Sequence, residues 1–142
     1  MTALLRAAGV DYGARRVGVA VTDPLRLFAQ PVGTYGPGEA LRVLAEMAAA
    51  DVGVIVVGWP VLDDGTEGAA VDRVRPFLGR LRKAAPRAQV VLQDERDSSR
   101  RAMAGLVEAG AGRERRRDRA TLDAAAACVI LQDWLDEQPQ SG

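Results

Sequence analysis

Apolar and polar residues alternate with a period of two near the start of the chain, which is the pattern of β-strands. Strands are predicted at 6–12 and 15–22, joined by a tight turn at Gly13. The segment 27–35 fits a third strand, and Pro31 restricts that strand to a sheet edge or an irregular position. The chain is therefore expected to open with three antiparallel strands.

Helical and strand patterns alternate over the rest of the chain. The stretch "DVGVIVVGWP" (51–60) is continuously apolar and rich in β-branched residues, as in a strand that is covered on both faces. Pro76 lies inside a helical pattern and is expected to kink that helix, because it removes a backbone hydrogen bond. After the first three strands, the predicted elements are a helix at 36–51, the strand at 51–60, a helix within 61–86, a strand at 88–95, and helices at 98–110 and 121–137.

These elements predict one mixed α/β sheet of five strands, three antiparallel and then two parallel, with helices on both faces. The central strands are expected to be those that end at Asp11, Gly58 and Glu95. No linker or internal repeat divides the sequence. We therefore expect a single domain over 1–137 and a disordered tail over 138–142.

Composition narrows the chemistry that such a sheet can carry. Of the 142 residues, 48% are hydrophobic and 27% are charged, the profile of a soluble globular protein. The chain has no histidine and a single cysteine, Cys128, which excludes Ser–His and Cys–His nucleophiles, internal disulfides and thiolate zinc sites. No apolar run approaches the roughly 20 residues of a membrane span, and no signal-peptide pattern is present. A cytoplasmic protein without a membrane partner is expected.

Acidic residues occupy unusual positions in three of the predicted elements. Asp11 interrupts or ends the first strand, and Asp94 and Glu95 close an apolar strand at its carboxyl end, where open α/β sheets usually build their sites. Asp123 lies at helical spacing from inward-facing residues of the last helix. Each also has an ordinary explanation: a turn residue for Asp11, a polar strand end for Asp94 and Glu95, and a first-turn acid favoured by the helix dipole for Asp123.

In a single sheet, however, two adjacent strand ends and one facing helix converge on one acidic pocket. Clustered carboxylates raise one another's pKa unless cations neutralise them. Carboxylate oxygens suit Mg²⁺ or Mn²⁺, and two such ions about 3.5–4 Å apart form the clamp used for phosphodiester hydrolysis. The combination favours a metal site over three unrelated acids.

Four stretches match a known family: "VDYGARRVGVAVTDP", "VVGWPVLDDGTEG", "QDERDSS" and "LDAAAACVILQDWLD". On these motifs the chain resembles the YqgF/RuvX family of ribonuclease H-like nucleases along nearly its whole length. The resemblance implies a ribonuclease H-like fold and an acidic, metal-binding catalytic triad at Asp11, Glu95 and Asp123. Two positions depart from the family pattern: Asp97 replaces a leucine in the usual "DERLTT", and Ala124 stands where a basic or polar residue is usual.

The same resemblance implies processing of the 5′ end of precursor 16S ribosomal RNA or, alternatively, Holliday-junction resolution. A resolvase cuts two strands symmetrically and is expected to be a two-fold dimer, whereas a 5′-end nuclease can act as a monomer. The expected partner is RNA or branched DNA, and both endonuclease and exonuclease activity remain open.

Several further residues are candidates for binding nucleic acid, although the 19 basic and 19 acidic residues balance. They are Arg15 and Arg16 after the first turn, Arg96 beside Glu95, Thr66 in "DDGTEG", and Arg113, Arg115, Arg116 and Arg117 before the last helix. Arginine forks and helix starts both bind phosphate. The alternatives are an exposed hairpin end for Arg15 and Arg16, a surface ion pair for Arg96, helix capping for Thr66, and a solvated charge run for the loop. Tyr12 and Trp59 are placed either to stack on unpaired bases or to pack within the protein.

Two other functions compete with a nuclease. An ATP-binding protein of the actin–hexokinase type uses a similar Asp-x-Gly hairpin, but needs two such domains, and 142 residues hold one. A non-catalytic ribosome-assembly or junction-binding module would keep the fold without cleaving. Metal-dependent cleavage that Asp11→Asn abolishes distinguishes the nuclease from both alternatives.

Overall fold

Five strands form one mixed sheet. The computed structural model describes residues 5–13, 15–60, 62, 64–95, 98–110, 112 and 118–139. The strands are β1 (Arg6–Tyr12), β2 (Val17–Thr22), β3 (Ala29–Tyr35), β4 (Val52–Trp59) and β5 (Gln89–Asp94), and the helices are α1 (Pro37–Ala50), α2 (Ala69–Ala84), α3 (Ser98–Glu108) and α4 (Arg119–Glu137). The strand order is β3-β2-β1-β4-β5, with β2 antiparallel to both neighbours and β4 parallel to both. The mixed five-stranded sheet expected from the sequence is confirmed.

Each face of the sheet buries its own core. On one face, strand valines pack with Leu44 of α1 and Leu81 of α2. On the other face, Ala7 and Ala20 pack with Leu131 of α4, and α3 in turn packs on α4. Alternation along the strands produces this division, because successive side chains point to opposite faces. Helices therefore cover both faces, as expected.

The strand that leads to Glu95 lies at an edge of the sheet, so the expectation of a central strand was wrong. β5 pairs with β4 alone among the described strands, and Leu92 of β5 is 44% exposed. The sequence after β5 forms helices, so within the described chain no later strand covers its outer side. The central strands are β1 and β4.

β3 is the opposite edge, as Pro31 predicts. The register between β2 and β3 shifts between Val19 and Ala20, whose partners are Gly33 and Pro31. The residue between those partners, Val32, is left without a partner in the ladder. The combination of a bulge and a proline disturbs this edge of the sheet.

Two helices, α2 and α4, differ in detail from the sequence pattern. α2 continues through Pro76. α4 begins two residues earlier than expected, because the Asp118 carboxylate accepts a hydrogen bond from the Ala120 N–H at 3.2 Å and caps the helix. Residues 140–142 of the predicted tail lie outside the described residues. In the part of the chain that the structure covers, none of the helices combines the length and apolar character needed to cross a membrane.

Candidate active site

Glycines allow α4 to lie directly on the sheet. A Cβ atom at Gly9 would lie 2.8 Å from the carbonyl oxygen of Ala127, and one at Gly18 would lie 2.1 Å from the carbonyl oxygen of Asp123. Real Cβ atoms essentially never approach other atoms within 3.0 Å, so any side chain at these positions would push the helix away. The two glycines therefore bring the backbone of Asp123 into contact with the strands.

Asp11 lies beside this contact. Side chains alternate along β1, so Asp11 shares the α4 face with Gly9, while Val10 and Tyr12 belong to the opposite core. Asp11 pairs with Gly18 in the β1–β2 ladder. The backbone of Asp123 thus rests on Gly18, and Gly18 lies opposite Asp11 in the sheet.

Glu95 reaches the same place from β5. Its N–H donates a hydrogen bond to the Trp59 carbonyl oxygen at 3.3 Å. A Cβ on Gly58 would lie 2.6 Å from the Glu95 Oε2, so the absence of a side chain at Gly58 leaves the space that the carboxylate occupies. β1 and β4 are adjacent parallel strands, so their carboxyl ends meet here.

Asp11 interacts with both of the other predicted acids. Burial of Asp11 raises its pKa above the ordinary value, a hydrogen bond between the Asp11 and Glu95 side chains offsets part of this effect, and the negative charge of Asp123 raises the pKa further. The structure therefore brings together residues that are far apart in sequence.

The donor set fits a hard divalent cation in its chemistry. All three side chains offer carboxylate oxygens, which Mg²⁺ and Mn²⁺ prefer. A bound cation would oppose the repulsion that raises the pKa of Asp11. Among the described residues, no group of three or more His, Cys, Asp or Glu side chains is already arranged as metal ligands. The role of the three acids as metal ligands stays a prediction.

The predicted arginines are only partly covered by the structure. Arg15 and Arg16 are exposed on the turn between β1 and β2, which the Gly13 N–H closes by donating to the Arg16 carbonyl oxygen at 2.8 Å. Outside the described residues lie Arg96, Arg113, Arg115, Arg116 and Arg117. Their role in binding nucleic acid stays a prediction.

The interpretation of Thr66 as a helix cap is wrong. α2 begins at Ala69, with Gly68 at its N-cap and no side-chain hydrogen bond to the cap. The Thr66 N–H and hydroxyl both donate to the Asp64 Oδ1, at 2.9 and 2.6 Å, and these bonds lower the pKa of Asp64. Sequence reasoning failed here because helix caps and Asp-initiated turns use the same residue types.

Sequence reasoning also missed a cluster that holds Trp59. The Trp59 indole N–H donates to Glu67 Oε1 at 3.3 Å, Arg75 pairs with Glu67, and the Arg75 guanidinium lies 5.3 Å from the centre of a Trp59 ring. Trp59 in turn accepts the hydrogen bond from the Glu95 backbone. Packing within the protein is thus what the structure shows for Trp59. Tyr12 likewise packs against the ring of Phe77, at a centroid distance of 4.8 Å.

A family model described as "RuvX: Holliday junction resolvase" matches residues 5–137 of the chain. The chain belongs to the RuvX family. A relative from Salinibacter ruber is 49% identical over 92% of this chain and 92% of its own length, and one from Chlorobium luteolum is 46% identical over 93% and 94%. Both RuvX relatives carry the provisional name pre-16S rRNA nuclease. The resemblance inferred from the four motifs is confirmed.

Among solved structures, a RuvC structure from Thermus thermophilus is similar to this RuvX-family chain. The TM-score is 0.53 at 17% identity, over 93% of this chain and 97% of the other. A likeness at this identity shows the fold alone. It confirms the ribonuclease H-like architecture expected from the sequence.

Proposed function

We propose that this chain is a divalent-metal-dependent nuclease that hydrolyses phosphodiester bonds in 5′-end processing of precursor 16S ribosomal RNA. The observation that carries the proposal is the contact between Asp11 and Glu95 beside Asp123, on the α4 face of the sheet. Family membership supports a nuclease, and the name of the curated relatives supports the RNA substrate.

Asp11, Glu95 and Asp123 would hold Mg²⁺ or Mn²⁺. When bound, such a cation activates water and stabilises the leaving oxygen of the phosphate, so no histidine base is needed. The chain supplies positioning: Asp11 is fixed on a central strand, Glu95 by its bond to Trp59, and Asp123 by the contact of α4 with Gly18. The exposed arginines of the β1–β2 turn would bind backbone phosphates.

The test is cleavage of a precursor 16S RNA fragment in Mg²⁺ and in Mn²⁺. Asp11→Asn, Glu95→Gln and Asp123→Asn should each lower the rate by at least about a hundredfold, and double variants should lose little more, because the three groups act as a unit. The matched control is Asp136→Asn, an exposed acid near the far end of α4 from Asp123. An Asp11→Asn protein that cleaves at nearly the wild-type rate would contradict the proposal.

The description of the family favours a second candidate, a Holliday junction resolvase. Such an enzyme cuts two strands symmetrically and needs a two-fold dimer. Purified protein is therefore compared on a four-way DNA junction and on structured precursor RNA, with its mass measured by light scattering. Paired symmetrical nicks made by a dimer, without RNA cleavage, would replace the first proposal. Binding of either substrate without cleavage would support the third alternative, a non-catalytic ribosome-assembly or junction-binding module.

A further inference from the structure

A small cavity opens at the end of the sheet that carries the acidic cluster, but on the opposite face of the sheet. Its volume is about 150 Å³, and it is lined by Tyr12, Gly13, Pro60, Ala70 and Arg73. Tyr12 follows Asp11 directly in β1, and consecutive side chains of a strand point to opposite faces. The cavity therefore lies one residue along β1 from Asp11, at the end of the sheet where the carboxyl ends of β1 and β4 meet.

Arg73 is the charged residue of this cavity. It lies three residues after Ala70 on α2, so the two share one side of the helix. Arg73 is exposed, and no acid among the described residues pairs with it. Arg75 on the same helix differs, because it pairs with Glu67 and covers Trp59. Arg73 is thus the cation of this helix start that is available for an anion from solution.

The size of the cavity limits the anion. A volume of 150 Å³ corresponds to about five water molecules at roughly 30 Å³ each, enough for a tetrahedral group of five heavy atoms. Pockets that enclose whole small-molecule ligands measure about 300–1,000 Å³. A single phosphate group therefore fits, whereas a complete nucleotide does not. This argues against an ATP pocket of the actin–hexokinase type at this position.

We infer that this cavity is a subsite for one backbone phosphate of the nucleic acid, which Arg73 binds at the end of the sheet that also carries the acidic cluster. The assignment of this phosphate to a nucleic acid rests on the proposed nuclease function. Gly13 lines the cavity and also belongs to the turn that carries Arg15 and Arg16. Exposed cations therefore extend from the cavity to this turn at the same end of the sheet. Guanidinium groups bind phosphate through paired N–H donors, which suits a fixed phosphate position.

The test measures binding separately from cleavage. An RNA hairpin with a single-stranded 5′ tail is bound to Asp11→Asn protein, and each tail phosphate in turn is replaced by an uncharged methylphosphonate. One position should weaken binding roughly tenfold with Arg73 present, because a charged hydrogen bond is removed. In the Arg73→Ala protein the same replacement should weaken RNA binding less than about twofold, because the guanidinium partner of that phosphate is already absent.

Arg80→Ala is the matched control, since Arg80 is an exposed arginine on the same helix for which the described residues offer no partner. It should keep the parental methylphosphonate profile and salt dependence. Arg73→Ala should reduce the slope of log binding constant against log salt concentration by about 0.7, the value for one phosphate bound on a single strand. Thermal melting of each variant checks that the fold is retained.

The subsite is wrong if every methylphosphonate weakens RNA binding equally in the Asp11→Asn protein and in the same protein with Arg73→Ala. Displacement of the RNA by inorganic phosphate, beyond chloride of matched ionic strength, would assign the cavity to free phosphate and overturn the backbone assignment. Cleavage by the chain with Asp11 intact is scored independently. If the effect of one methylphosphonate depends on Arg73 but the wild-type chain does not cleave RNA, only the nuclease function is wrong. If the chain cleaves RNA but no methylphosphonate effect depends on Arg73, only the subsite is wrong. A chain that binds no RNA at low salt would overturn both.

Discussion

Replacing Gly18 with alanine is expected to push α4 off the sheet at the acidic cluster. The added Cβ would lie 2.1 Å from the carbonyl oxygen of Asp123 and 2.5 Å from its carbonyl carbon. Both are backbone atoms of a helix, so no side-chain rotation can relieve the contact. To reach 3.0 Å, the shortest approach that real Cβ atoms show, the helix must retreat by about 0.9 Å.

This displacement should affect catalysis more than stability. Overpacking of this kind costs about 1–3 kcal/mol, which lowers the melting temperature of a chain of this length by roughly 3–10 °C. A catalytic group that is misplaced by about 1 Å costs on the order of a hundredfold in rate. Gly18→Ala protein is therefore expected to be folded at 25 °C and almost inactive.

Circular-dichroism melting and RNA cleavage measure the two effects on the same samples. Gly79→Ala on α2 is the matched control, because a Cβ there meets nothing within 4 Å. It should raise the free energy of unfolding by about 0.5–1 kcal/mol, since alanine favours the helix over glycine, and leave cleavage unchanged. A Gly18→Ala protein that melts with the wild type would refute the reasoning, whether or not the chain proves to be a nuclease.

Three further predictions concern Asp11, Cys128 and the arginine-rich segment 113–117. The raised pKa of Asp11 means that the folded chain holds this proton more tightly than the unfolded chain, so stability is lost as pH rises from the ordinary carboxyl pKa through the raised value. Asp11→Asn should therefore raise the melting temperature of metal-free protein at neutral pH, by an amount that shrinks towards pH 4; a gain that does not depend on pH would contradict this. Burial raises the pKa of Cys128 to about 11, so alkylation by iodoacetamide should accelerate about tenfold per pH unit below that value, and a plateau by pH 9 would show a more acidic thiol. Alanine at Arg115, Arg116 and Arg117 should flatten the salt slope of RNA binding, measured by fluorescence anisotropy, by roughly 0.7–0.9 for each phosphate that this segment no longer binds. An unchanged slope would contradict a role of these arginines in binding RNA.

The order of strands and helices could be predicted because it depends on local pattern. The alternation in β1 and β2 and the continuous apolar run of β4 determine which side chains are buried. The edge position of β5 could not be predicted in this way. A short apolar strand has the same pattern whether one neighbour or two pair with it, and the number of neighbours is settled by the rest of the fold.

The acids were predictable in type, because charge within apolar patterns needs compensation. The preference for Glu95 over Asp94 came from family resemblance, and the structure supplies the physical reason. Asp94 pairs with Trp59 and shares its face of the sheet, while the Glu95 carboxylate occupies the space above Gly58. The part played by Gly18 was missed, although a glycine inside a strand does signal a close approach of backbone.

The acidic cluster joins the two ends of the chain. Asp11 lies on the first strand, and Asp123 lies on the last helix. Closing a loop of that size is entropically costly, so docking of α4 is expected late in folding. During synthesis the amino-terminal strands emerge from the ribosome long before the helix that completes the cluster. A nascent or half-folded copy therefore lacks Asp123 from the acidic cluster until α4 has docked on β1 and β2.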